Sequence, residues 1–267
     1  MIVIKMGGSE GVNLAEICRD VSVLVNQGQH VILVHGGSAE TNALSTLLGQ
    51  PPRFLTTTSG FTSRYTNRAT LEIFTMVTAG KINTLLVEQL QKLGVNALGL
   101  SGVDGRLMLA ERKEAIVVVE NGRKQVIRDD FTGKIEQVNQ HLLQMLLQAG
   151  YLPVIAPLAI SFKGDAVNVD ADRAAAAIAG AMGAAQLIIL TNVPGLMRQY
   201  PDESTLIRQI AKAELDSALV FAEGRMKKKV LGAIEALKSG VGQVVFADGR
   251  VSQPVQNALA GNGTVIS

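Results

Sequence analysis

MIVIKMGGSEG, residues Met1 to Gly11, is the stretch from which the chain is best read. An apolar run reaches Lys5, and Gly7, Gly8 and Ser9 follow at once. Asn13 then opens a pattern that places Leu14, Ile17 and Val21 on one helical face. A buried strand, a tight turn and a helix N-terminus account for that order. Such a turn offers unpaired backbone N–H groups to an anion, and the helix dipole adds partial positive charge. Gly7 and Gly8 carry no Cβ to keep a phosphate away, and Lys5 can bring a cation to the same place. A plain bend is the competing reading of the same residues.

The unit recurs along the chain. His30 to Val34 is a continuous apolar run, as expected of a strand covered on both faces, and His35-Gly36-Gly37-Ser38 follows it. His35 reads as a hydrogen-bonded turn residue or as part of the chemistry. Val95 to Leu100 leads into SGVDG, Leu152 to Ile160 has a bend expected at Pro157, and Leu187 to Leu190 leads into TNVPGL. Gln243 to Phe246 and Thr264 to Ile266 read as closing strands. Strands alternating with helices predict an α/β fold on one mostly parallel sheet with right-handed crossovers. Ligands of such sheets bind beyond the carboxyl ends of the strands. The turns at Gly7, Gly36, Ser101, Asp170 and Thr191 are all expected there.

Other segments decorate this frame. RFLTTTSGFTSRYTNR, Arg53 to Arg68, is polar and threonine-rich and reads as a surface flap. Its arginines 53, 64 and 68 suit carboxylate recognition or simply meet water. Helices are expected over Asn67–Gly80, Lys81–Leu93 and about Lys134–Gln148. Leu107 to Arg128 alternates around Asn121-Gly122, a hairpin-turn dipeptide, and predicts a projecting β-hairpin tipped by Arg123 and Lys124. GDAVNVDADR, Gly164 to Arg173, precedes an alanine-rich helix; Asp170 or Asp172 can cap it, yet the polar density exceeds what one cap needs. Lys227, Lys228 and Lys229 open a later helix, where cations oppose the dipole unless an anion sits nearby.

Bulk properties narrow the chemistry. A 267-residue chain that is 47% hydrophobic and 18% charged is well cored rather than disordered. A net charge of +2 and the lack of tryptophan give no footing for nucleic acid. No apolar run reaches membrane-spanning length and no basic-then-apolar leader opens the chain, so a cytoplasmic protein is expected. The single cysteine, Cys18, permits no internal disulfide, and no protein-held metal site is expected. P-loop, dinucleotide, paired-histidine and nucleophile-elbow motifs are all missing: Gly80-Lys81 and Gly133-Lys134 are each followed by Ile. What remains is phosphoryl transfer without a P-loop, in which a protein positions reactants and stabilises charge on phosphate oxygens. Lys5 and one lysine of the 227–229 set would supply that charge, and a carboxylate between them, best Asp172, would hold both.

These residues resemble the amino acid kinase superfamily over essentially the whole chain, and within it the N-acetylglutamate kinase branch. KMGGS, HGG, NVDAD, LTNVPGL and GRMKKKV, beginning at Lys5, His35, Asn168, Leu190 and Gly224, carry the likeness. SGFTSRYTNRAT, LSGVDG and DDFTGK point further, to the lysine-biosynthetic sub-branch acting on aminoadipate held by an acidic amino-group carrier protein. Ser38 departs from the HGGG of acetylglutamate enzymes, which points away from a free acetylated acid.

The resemblance implies a three-layer α/β/α sandwich with an acid-binding N-terminal lobe, about 1–160, and an ATP-binding lobe, about 161–267, within one domain. Lys5 and Lys229 would stabilise the transferring phosphoryl group and Asp172 would organise them. Gly36, Gly37, Arg64 and Asn168 would hold the acid. Gly8 and Ser9 would approach the phosphates, and Thr191, Asn192, Gly195 and Leu196 would border the adenosine. It further implies ATP with Mg2+ carried on it, a homodimer, and an acidic partner met by a basic rim of Arg53, Arg68, Arg123 and Lys124. Alternatives are carrier-linked glutamate or free N-acetylglutamate in arginine synthesis and, more remotely, a non-catalytic regulator.

Overall fold

The computed structural model describes every residue of the chain except 59, 61, 121, 122 and 223, and leaves the side chains of 216 and 225 undescribed. The first strand, β1 (Ile2–Met6), is buried throughout, and α1 (Leu14–Asn26) follows with Asn13 as its cap, its side chain accepting from Glu16 N at 3.2 Å. The order continues with β2 (Val31–His35), α2 (Ser38–Leu47), β3 (Phe54–Thr57), β4 (Thr62–Arg64) and α3 (Arg68–Thr75). A π-helical stretch, Met76–Ile82, joins α3 to α4 (Asn83–Lys92). Next come β5 (Ala97–Gly102), β6 (Met108–Arg112), β7 (Ile116–Glu120), β8 (Arg123–Ile127), β9 (Gly133–Val138), α5 (Gln140–Gln148), β10 (Leu152–Ser161) and β11 (Ala166–Asn168). The chain closes with α6 (Ala171–Ala181), β12 (Gln186–Thr191), β13 (Gln209–Ile210), α7 (Leu215–Ala218), α8 (Gly224–Lys238), β14 (Gln243–Asp248), α9 (Pro254–Leu259) and β15 (Thr264–Ile266).

Among the described residues eleven strands form one sheet, with β12, β1, β2 and β10 side by side and parallel at its centre. Antiparallel pairs, β14 with β15, β10 with β11 and β6 with β9, lie away from that centre. Apolar side chains leave both faces. Ile2, Ile4 and Met6 join Ile17, Val21, Leu86 and Leu90 from α1 and α4 on one side. Val3 joins the alanines of α6, Val230 of α8 and Leu143 of α5 on the other. Helices thus cover a mostly parallel sheet on both faces, the α/β architecture expected. Strand alternation then has a consequence for the site: Lys5 shares its parity with Val3 and faces the layer of α6 and α8.

Four expectations need correction. The run Leu107–Arg128 is not one hairpin. Its first part, β6, belongs to the large sheet, while β7 and β8 pair with each other and, through Thr56–Val119 and Thr57–Val118, with the flap. Among the described residues, flap and hairpin therefore form one four-stranded antiparallel sheet, β4-β3-β7-β8. Glu120 stands opposite Arg123, and the Asn121-Gly122 turn expected between them lies outside the described residues. Second, residues 134–138 are a strand, because β6 presents an open edge that β9 pairs; Asn139 caps the helix that begins after it, accepting from Leu142 N at 3.2 Å. Pairing with a neighbour overrides the helical preference of Lys, Glu and Gln there. Third, Gly80 ends no helix: the π-helical stretch carries α3 into α4. Fourth, Pro157 does not turn the chain back. β10 runs through it, and its partners change from β2 and β5 before it to β6 and β11 after it.

Candidate active site

Two buried charges, Lys5 and Asp172, and a partly buried third, Lys229, sit where β1, α6 and α8 meet. Asp170 caps α6, accepting from Asp172 N at 2.9 Å and Arg173 N at 3.1 Å. That cap leaves Asp172 in the first helical turn, where the dipole favours a carboxylate. Asp172 lies between two ammonium groups: Lys5 Nζ is 2.8 Å from Oδ1 and Lys229 Nζ is 2.7 Å from Oδ2. Lys5 is 4% exposed and Asp172 7%, so the charges face one another with little water. Burial alone pushes the Asp172 carboxyl up, but Lys229 and Lys5 together outweigh it and hold it well below its ordinary range. Burial lowers the Lys5 ammonium; Asp172 opposes that shift and Lys229 adds to it. One carboxylate thus carries two cations, a set with surplus positive charge.

The two glycine turns interlock beside this centre. A Cβ on Gly8 would stand 2.3 Å from Gly37 N, and one on Gly36 would stand 2.7 Å from Gly8 N. Contact between backbones, not a left-handed conformation, is what demands glycine at these positions. Ala39 N donates to Gly8 O at 3.0 Å and Ser38 Oγ to the same oxygen at 3.2 Å, so Ser38 ties the turns together. Among the described residues, the N–H groups of Gly8 and Gly37 donate to no protein acceptor.

The residues expected to hold the phosphoryl group, the acid, the phosphates and the adenosine all line one cleft of about 1210 Å³, whereas His35 and the rim residues Arg53, Arg68, Arg123 and Lys124 do not. Lys5, Asp172 and Lys229 form its floor, with Gly8, Ser9, Gly36 and Gly37 beside them. Arg64 and Asn168 line it with Phe54 and Thr62 of the antiparallel sheet, and Thr191, Asn192, Gly195 and Leu196 line it with Met197, Tyr200 and Phe221. The Ser101 turn, expected in the same place, does not join it: Ser101 N and Oγ both donate to Asp104 Oδ2, at 2.6 and 2.9 Å.

Arg64 is a wall residue rather than a surface cation. It is 8% exposed, stacks on Phe54 at 5.2 Å, and donates from Nη2 to Asn42 Oδ1 at 2.6 Å and Ser38 O at 3.3 Å. Asn168 Nδ2 donates to Thr66 Oγ1 at 3.1 Å, and buried Asp130 accepts from Thr66 N at 3.2 Å and Thr132 Oγ1 at 2.9 Å. Burial raises the Asp130 carboxyl above its ordinary range, with the hydrogen bonds from Thr132 and Thr66 working against it. The sequence reading missed Asn42, Thr66 and Asp130. Only Asn42 had a local signal, four residues beyond Ser38 on the same helix face.

The expected basic rim is partly engaged. Arg53 pairs with Glu120 at 2.7 Å and Arg68 with Glu72 at 3.1 Å, whereas Arg123 and Lys124 are exposed on β8. Lys228 reaches across the cleft mouth and donates to Thr62 O. Among the described residues no group of three His, Cys, Asp or Glu side chains could hold a metal, and no helix is long and apolar enough to cross a membrane.

The amino acid kinase family model matches residues 1–248. A [LysW]-aminoadipate kinase of Deinococcus radiodurans is 55% identical over all of this chain and 91% of its own length. A [LysW]-aminoadipate kinase of Thermus thermophilus is 53% identical, with 100% of both chains covered. An N-acetylglutamate synthase structure from Neisseria gonorrhoeae, complexed with coenzyme A and N-acetyl-glutamate, superposes with a TM-score of 0.81 over 100% of this chain and 59% of that one, at 24% identity, a likeness of fold. With a family model over most of its length and full-length relatives above half identity, the chain belongs to the amino acid kinase family.

Proposed function

We propose that the protein transfers the γ-phosphoryl group of ATP to the side-chain carboxylate of L-2-aminoadipate carried on an acidic carrier protein, giving an acyl phosphate on the aminoadipate route to lysine. The observation that carries the chemistry is the buried Lys5–Asp172–Lys229 centre at the floor of the cleft. Likeness to the two full-length relatives supports the choice of acid.

The acceptor carboxylate is already ionised at neutral pH, so no general base is needed. One of its oxygens forms a bond to the γ-phosphorus while the bond to the β–γ bridging oxygen breaks, and ADP leaves with that electron pair. Lys5 and Lys229 stabilise the charge spreading over the equatorial oxygens, and Asp172 keeps both ammonium groups aimed. Gly8 and Ser9 turn their backbone toward the phosphates. Gly36, Gly37, Arg64 and Asn168 hold the acid. Thr191, Asn192, Gly195 and Leu196 border the adenosine. Both Asp172 oxygens face lysines, so the donor set suits magnesium arriving on the nucleotide rather than in a protein cage. Arg123 and Lys124 are the exposed cations of β8 toward which an acidic carrier would be steered.

The test is a mass spectrum after incubation with ATP and, separately, carrier-linked aminoadipate, carrier-linked glutamate and free N-acetylglutamate, at low and high salt. Phosphorylation of the carrier-linked acid, weakened by salt, is the expected result. Equal, salt-insensitive activity on the free acetylated acid would overturn the carrier assignment. One methylene separates the two carrier-linked acids, about 1–3 kcal/mol of discrimination, so competition between them decides the preferred chain length.

A further inference from the structure

His35 lies at the end of β2, 1% exposed, directly before the glycines proposed to hold the acid. Its Nδ1 is 3.1 Å from Gly36 O and its Nε2 is 3.1 Å from Asn83 Nδ2. The Asn83 amide nitrogen also stands 2.9 Å from Val154 O and 3.4 Å from Leu100 O. A group beside two carbonyl oxygens must be the NH2 end of that amide. A Cβ on Gly99 would lie 2.1 Å from the other end, so only glycine leaves room for this side chain. An amide NH2 accepts no hydrogen bond, so the ring nitrogen facing it at 3.1 Å is the unprotonated one and Asn83 donates to His35 Nε2. The imidazole proton is left on Nδ1, and Nδ1–H donates to Gly36 O.

That bond has a directional effect. In a trans peptide the C=O and the following N–H point opposite ways. Holding Gly36 O toward the imidazole turns Gly37 N–H away from it, and Gly37 N lies beside Gly8. The far side of the turn is braced as well. A Cβ on Gly37 would stand 2.7 Å from Thr78 Cγ2 and 3.0 Å from Ile82 Cδ1, both on the π-helical stretch, and Asn83 is the residue directly after it. A wider helical turn rotates α4 relative to α3, and such insertions recur near functional sites.

We propose that His35 and Asn83 are positioning residues: a neutral imidazole, locked by Asn83 in the Nδ1–H form, fixes the Gly36–Gly37 peptide so that the Gly37 N–H faces the reacting groups. The inference deepens the kinase reading by naming what aims the acid-holding turn. Its structural half stands without that reading. Burial is the main reason the His35 imidazolium is disfavoured, down to a pKa of about 4, with the Gly36 carbonyl opposing the shift and Lys5 adding to it.

The test has two arms on the full-length protein. The first is 15N-detected NMR of the imidazoles, tractable because the chain has three histidines. The expected signature for His35 is a neutral Nδ1–H tautomer between about pH 6 and 8, lost in Asn83→Leu. An Nε2–H tautomer, or an imidazolium in that range, would overturn the lock. The second arm compares His35→Asn, whose amide can replace Nδ1–H as donor, with His35→Gln, whose amide reaches the Nε2 position instead. The lock requires kcat to fall about 10²-fold in His35→Gln, at least tenfold further than in His35→Asn, with KM for ATP within about twofold of wild type. Equal losses in the two variants, or a loss confined to KM for ATP, would reduce His35 to a filler and contradict the proposal. A wild-type protein that shows the tautomer but phosphorylates no acid would sink the kinase reading and leave the lock standing.

Discussion

The floor of the cleft and the antiparallel sheet at its mouth both pair basic side chains with carboxylates, to different ends. At the floor, Lys5 and Lys229 share one carboxylate, Asp172, and the side chains of the three residues are 13% exposed or less. At the mouth, Arg53 and Glu120 also meet at 2.7 Å, but their side chains are 45% and 32% exposed. The difference is water. An exposed pair contributes about 0–1 kcal/mol, whereas a buried charge stripped of its partner costs about 3–5 kcal/mol. The floor pairs are therefore a fixed charge array, and the mouth pair is a surface tie between the flap and β7.

Substitutions should separate the two regions, beginning with the largest effect. Asp172→Asn leaves the buried Lys5 ammonium and the partly buried Lys229 ammonium without their carboxylate. It should lower stability by about 3–5 kcal/mol, read as a shift of the urea midpoint, and turnover by about 10³-fold. Unchanged stability would mean that the floor is as wet as the mouth.

Burial has a second effect, on titration, at His35 behind the glycine turn. Folding holds His35 neutral with a pKa near 4 against an ordinary 6.5, so the unfolded chain binds its proton first as pH falls. The stability this provides is complete above pH 6.5 and is lost as pH drops toward 4, by about 3 kcal/mol. Urea titrations of wild type and His35→Asn across that window should diverge in this sense, and parallel curves would contradict it.

Arg64→Ala removes a guanidinium that is buried yet belongs to the mouth's sheet. It should raise KM for the acid about 30-fold, equivalent to about 2 kcal/mol, with little change in KM for ATP. A purely nucleotide-side defect would move Arg64 out of the acid site. The smallest effect belongs to Arg53→Ala, which should change stability by less than about 1 kcal/mol and leave kcat on carrier-linked acid nearly unaltered. A loss comparable with that of Asp172→Asn would erase the distinction between the regions.

The floor was also the part most legible in the sequence. Lys5 could be placed because a continuous apolar run ends at it, directly before the glycine turn. Asp172 could be placed because two aspartates precede a helix that one cap would satisfy, and Asp170 proved to be that cap. Choosing Lys229 among three lysines needed the family likeness; in the structure Lys229 pairs with Asp172 at 2.7 Å. The mouth was legible only in pieces. Flap and hairpin were each visible as alternating runs, but their pairing through Thr56 and Val119 joins residues far apart in the chain and leaves no local trace. The same holds for Asp130 beneath Thr66 and for Asn83 beneath His35, buried polar contacts that span many residues. Lys134–Val138 misled because its composition favours a helix while an open strand edge nearby claims it.

The most direct measurement is single-turnover transfer of labelled γ-phosphate to carrier-linked aminoadipate by wild type, Lys5→Ala and Lys229→Ala, each first shown to be folded by circular dichroism. If the two ammonium groups held by Asp172 stabilise the migrating phosphoryl group, each alanine variant should lose about 10²–10³-fold or more in the transfer rate while still binding ATP. Either variant transferring phosphate at near the wild-type rate would contradict it.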